Sequence, residues 1–156
     1  MKSSPRRKTA DLGEKLTEGV HWPVGIFSSG ANFFPRRVLV VDDEPLIRWS
    51  VSETLVATGH GVRLAADGSA ALAAVADAGT PFDVVVLDML LPDVRDLSLL
   101  NRLRLQLPGA VLILMTTLGT PDIIRDAEAL GATVLHKPFE LDTLKQLVQE
   151  PKGGTA

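Results

Sequence analysis

The chain has 156 residues, 46% of them hydrophobic and 22% charged, with no cysteine and a formal net charge of −3. One domain with a real core is the expectation, and disulfides, thiolate metal sites and cysteine nucleophiles are excluded. No apolar run is long enough to span a bilayer, and the "RRK" at residues 6–8 has no apolar leader behind it, so a soluble cytoplasmic protein is expected, with no membrane insertion.

Residues 1–35 show no helical or strand period. They are rich in Ser, Gly, Pro and Lys/Arg, and are read as a disordered N-terminal extension. Charge divides at the same place. Residues 1–37 carry seven Lys/Arg against three Asp/Glu, whereas residues 38–150 carry eight against sixteen. An acidic body is a poor binder of phosphate backbones, so direct nucleic-acid binding is not expected.

From residue 36 to 150 a regular alternation runs. "VLVV" (38–41) reads as a strand. Residues 45–59 follow as a helix, with Ile47, Val51 and Leu55 four apart and Gly59 as its stop. Residues 61–66 read as a strand and the alanine-rich 68–79 as a helix. "DVVVL" (83–87) is a strand buried on both faces, and 97–107 a helix closed by Pro108-Gly109. Residues 110–115 are a strand, then 121–131 a helix with Pro121 in its first turn. Residues 132–136 are the fifth strand and 140–149 the fifth helix. Residues 151–156 are expected to be a flexible tail. Five strand–helix pairs imply an α/β fold, a parallel sheet with helices on both faces.

Polar residues gather where the strands end. The first strand ends in Asp42-Asp43, the third in Asp88, the fourth in Thr116-Thr117 and the fifth in His136-Lys137. In open α/β sheets, ligands bind at the carboxyl ends of the strands, so these side chains share one rim. Clustered carboxylates suit a hard cation such as Mg²⁺, which takes oxygen ligands. A lysine on the same rim makes sense if an anion arrives too. Cation, lysine and hydroxyl together form a phosphoryl clamp, in which one carboxylate can serve as nucleophile. His136 is expected to be structural, since nothing near it forms a dyad.

The motifs "VLVVDDEP" (38–45), "VVVLDMLLPD" (84–93), "LILMTT" (112–117) and "LHKPF" (135–139) resemble those of the receiver domain of two-component response regulators, of the stand-alone CheY-like kind. The resemblance covers residues 36–150. It implies a doubly wound, flavodoxin-like sheet of five parallel strands in the order 2-1-3-4-5. It implies Asp88 as phosphoacceptor. By the same resemblance Asp43 would ligate Mg²⁺ directly and Asp42 through water, with Asp88 and the backbone carbonyl of Leu90 completing the set. Thr116 meets the phosphoryl oxygen. Lys137 pairs with the phosphoryl group, or with Asp88 in its absence, and the Lys137-Pro138 bond is cis. The implied partners are a histidine kinase or a histidine phosphotransfer protein, and a downstream protein met through the last two helices and the strand between them. No output domain is expected after the fifth helix.

Three positions depart from the family pattern. Asp96 stands where a glycine is usual, Thr117 where Ala or Gly is usual, and Val134 where Tyr or Phe is usual. Val134 removes the aromatic rotamer switch. Leu90 and Leu118, two past the acceptor and two past the hydroxyl, cannot hydrogen-bond an attacking water, so a long-lived phosphoaspartate is expected. Two other readings stand beside this one. A pseudo-receiver would bind partners without phosphorylation. A haloacid-dehalogenase-like phosphatase would need a D-x-D pair that neither "VVDDEP" nor "LDMLL" supplies.

Overall fold

The computed structural model describes residues 20–21 and 33–150. Within them lie six strands and five helices: β1 (Val20–His21), β2 (Arg37–Val41), α1 (Pro45–Ala57), β3 (Gly61–Ala65), α2 (Gly68–Asp77), β4 (Val84–Asp88), α3 (Ser98–Gln106), β5 (Val111–Thr116), α4 (Pro121–Ala129), β6 (Ala132–His136) and α5 (Leu141–Gln149). The sheet order is β1-β3-β2-β4-β5-β6. β2 through β6 are parallel to one another. They are the five expected strands, in the expected order 2-1-3-4-5.

The sheet has one strand more than expected. Val20 and His21 pair antiparallel with Arg63 and Val62 of β3. Two residues are too short to show a period, and they sit in the stretch expected to be disordered. Phe33, in the same stretch, lays its ring 5.3 Å from that of His60. At these positions the chain meets the domain. The rest of the expected extension, and the tail at 151–156, lie outside the described residues.

Strand side chains alternate between faces, and the core divides accordingly. Val38 and Val40 of β2, with Val84, Val86, Ile113 and Met115, pack under α1 and α5 against Val51, Leu55, Leu144 and Val148. Leu39 and Val41, with Val85, Leu87, Leu112 and Leu114, pack under α2, α3 and α4 against Ala71, Leu100, Leu103 and Ala127. The central strands are apolar between their end residues because both faces are covered.

Helix ends follow local chemistry. Asp67 accepts the N–H of Ala70 at the start of α2, and Thr120 accepts that of Ile123 at the start of α4, each satisfying a donor the helix leaves orphaned. Gly59, the expected stop, follows α1 with φ of 103°, a conformation that favours glycine.

Candidate functional site

The strand ends meet as expected. The register sets Val41 beside Leu87, Asp88 beside Met115 and Thr116 beside His136. Residues at the ends of β4 and β5, and just past β2 and β6, therefore fall on one rim. Of the expected groups, Asp42, Asp88 and Thr116 are buried, Asp43 is exposed, and Lys137 is half-buried with its side chain nearly covered.

Lys137 is the hub. Its Nζ donates to Asp42 Oδ2 at 2.8 Å and to Asp88 Oδ2 at 3.2 Å, and lies 3.8 Å from Glu44 Oε1. The expected pairing with Asp88 is present, but Asp42 is the nearer partner. Burial alone would lower the lysine's pKa. The hydrogen bond and charge of Asp42, joined by Asp88, raise it above the ordinary value instead. Burial pushes the Asp88 carboxyl up, and the charge of Asp42 adds to this. The charge of Lys137 and the N–H of Leu90 partly offset it.

The arrangement fits a cation. Asp42, Asp43, Glu44 and Asp88 each offer an oxygen within 4.8 Å of the others. Two of these carboxylates are buried against a single ammonium, and buried charge is costly unless compensated. Glu44 was not among the expected ligands. Its adjacency to Asp42-Asp43 was the available signal. Asp42 already spends Oδ1 on the N–H of Glu44 and Oδ2 on Lys137. Leu90 donates its N–H to Asp88 Oδ1 at 3.3 Å, which holds the chain two past the carboxylate close to it.

The loop after β4 is anchored to α2. Asp93 accepts the N–H groups of Gly68 and Ser69, each at 2.9 Å. These bonds hold its carboxyl below the usual range. A side chain at Gly68 would bring Cβ within 2.8 Å of Val94, so the close approach requires glycine. Asp96, the departure in this loop, accepts the N–H of Ser98 at 2.9 Å and leads into α3. A carboxylate bonded to the first residue of α3 thus occupies the position where a flexible glycine is usual.

The other departures sit at the rim and in the last strand. Thr117 is exposed and lines a cleft of about 460 Å³ with Ile47, Lys137 and Phe139. Val134 is half-buried against the α2–α4 face of the core. Leu90 and Leu118 are 40% and 74% exposed, apolar groups left on the surface. The Lys137-Pro138 bond is cis, as expected. His136 is exposed. Among the described residues a buried histidine is His60, between two glycines, which sequence reading passed over. Its Nδ1 accepts the N–H of Arg36 at 3.0 Å, and its pKa falls to about 4 through burial and the charge of Arg36. It lies at the opposite end of the sheet.

Comparison with known proteins gives one consistent result. The family model described as "Response regulator receiver domain" matches residues 38–149. The probable transcriptional regulatory protein TcrX of Mycobacterium tuberculosis is 42% identical over 109 residues, covering 69% of this chain and 46% of that protein. The chain therefore spans less than half the length of that relative. Sporulation initiation phosphotransferase F of Bacillus subtilis is 32% identical over 116 residues, covering 74% of this chain and 92% of that one. Among solved structures, the chemotaxis protein CheY4 of Vibrio cholerae aligns with a TM-score of 0.67 at 35% identity, covering 74% of this chain and 98% of that one.

Proposed function

The chain belongs to the response regulator receiver family of two-component signalling, and on that premise we propose that Asp88 is its phosphoacceptor, loaded from a phosphohistidine of a histidine kinase or a phosphotransfer protein. Phosphorylation-dependent signalling is the activity of the domain. The choice of residues rests chiefly on one observation: Lys137 bridges Asp42 and Asp88, the two buried carboxylates of the rim.

An oxygen of Asp88 attacks phosphorus. A P–O bond forms as the donor's P–N bond breaks, and the electron pair returns to the imidazole nitrogen, which takes a proton from water. Lys137 is positioned to follow the charge from carboxylate to phosphoryl oxygen. Thr116, at the neighbouring strand end, supplies a hydroxyl to a second phosphoryl oxygen. Asp42, Asp43, Asp88 and the backbone carbonyl of Leu90 are the groups proposed to hold Mg²⁺. When bound, the ion neutralises charge on the transferring group. The pseudo-receiver and phosphatase readings are not favoured, since the family match and the gathered carboxylates, hydroxyl and lysine fit a working receiver.

The domain then acts on a downstream protein by contact, with hydrolysis of its own acyl phosphate as the only further chemistry. No helix among the described residues is long and apolar enough to cross a membrane, and a cytoplasmic setting suits a kinase-fed domain. Mass spectrometry after treatment with acetyl phosphate and Mg²⁺ tests the reading. A single acid-labile phosphate mapping to Asp88 is expected, and its absence would overturn the assignment.

A further inference from the structure

Met89 directly follows Asp88 and is 8% exposed. Strand alternation carries it to the face of Leu87 and Leu114, which is also that of Thr116, 1% exposed. The Thr116 hydroxyl donates to Met89 Sδ, with Oγ1 and Sδ 3.8 Å apart, and Oγ1 accepts the N–H of Leu118 at 3.1 Å. These partners are a sulfur and a backbone amide, and neither is a carboxylate. A buried hydroxyl needs an acceptor, and a thioether is a weak one.

We propose that Met89 is a positioning residue: its sulfur holds the Thr116 hydroxyl in the resting domain and sets how readily that hydroxyl turns to a phosphoryl oxygen. The proposal rests on the reading above, that Thr116 meets a phosphoryl group on Asp88. A charged phosphoryl oxygen is a stronger acceptor than sulfur, so the hydroxyl gains by turning. The gain depends on what it leaves behind. With leucine at 89 the volume is nearly kept, but the resting hydroxyl has no side-chain acceptor. The resting state is then less favourable, and the phosphoryl-bound state is easier to reach. With glutamine at 89 the carbonyl holds the hydroxyl more firmly, and the bound state is harder to reach.

The test is titration with beryllofluoride in Mg²⁺, a non-covalent phosphoryl mimic, on folded protein checked by thermal melts. Met89→Leu is expected to bind about threefold to tenfold tighter than wild type, and Met89→Gln weaker by a similar factor, from the net worth of one hydrogen bond. Both shifts are expected to vanish in a Thr116→Val background, since the coupling runs through the hydroxyl. Where binding in that background is too weak to titrate, initial rates of acetyl phosphate labelling are compared instead. A residue that merely fills the core would shift affinity the same way in both variants, or equally with and without the hydroxyl. Either result overturns the proposal. Wild type that binds no beryllofluoride overturns the reading of the site itself, and this inference with it.

Discussion

Lys137 Nζ lies 2.8 Å from Asp42 Oδ2, a carboxylate with no exposed surface, while the lysine side chain is itself only 8% exposed. This is a buried ion pair, and removing one partner leaves the other charge uncompensated. Lys137→Ala is expected to destabilise the metal-free protein by about 3 kcal/mol. Added Mg²⁺ should restore part of the loss, because the cation replaces the missing charge. Urea unfolding with and without Mg²⁺ measures both. Unchanged stability in the variant would mean that Asp42 does not depend on the lysine.

Asp88→Asn is expected to abolish the acyl phosphate and keep the fold. The amide is nearly isosteric but is not a nucleophile. The sign of the stability effect also follows. The Asp88 pKa is raised in the fold, so its ionised form costs stability at neutral pH, and that cost disappears as the pH falls below the folded value. The uncharged variant should be at least as stable as metal-free wild type at pH 7. Acid-labile phosphate at full level in this variant would sink the assignment.

Mg²⁺ binding should depend chiefly on Asp43, an exposed member of the cluster. Ligand that binds only the folded state stabilises it by mass action, about 1.4 kcal/mol at ten times Kd. The thermal midpoint should rise with Mg²⁺ in wild type and much less in Asp43→Ala. Equal shifts in the two proteins would count against the site.

The lifetime of the acyl phosphate is expected to be on the order of tens of minutes or more, because no polar side chain at 90 or 118 orients the attacking water. Both leucines reach the surface, so polar replacements there meet little packing cost. After donor removal, Leu118→Asn or Leu90→Glu should lose phosphate faster than wild type. Decay of the wild type within seconds, or no acceleration in either variant, would separate these side chains from the control of water.

His60 should give the fold an acid-sensitive component. Its pKa is about 4 in the fold against an ordinary 6.5, so the unfolded chain takes up the proton first. Its contribution is complete above pH 6.5 and is lost as the pH falls towards 4, by about 3 kcal/mol in all. His60→Asn keeps an acceptor for the Arg36 N–H and removes the titration. Unfolding measured from pH 7 to 4.5 should show a shallower loss in the variant. Parallel curves would place the acid sensitivity elsewhere.

By itself the sequence determined the alternation of strands and helices, the parallel sheet and the membership of the rim. These are local signals. Continuous runs such as Val38–Val41 and Val84–Leu87 mark strands covered on both faces, and each is closed by its own carboxylate. The tertiary structure alone decided which groups touch. Lys137 and Asp42 are 95 residues apart, and no period reports that the lysine lies nearer Asp42 than Asp88. The thioether under Thr116, the clasp of Asp93 on α2 and the burial of His60 against Arg36 are pairings of the same kind. So is the strand made by Val20 and His21, too short for any pattern. Periodicity records how one segment meets the core. Distances between segments follow only from the twist and packing of the whole sheet, which bring strand ends far apart in the chain to one edge.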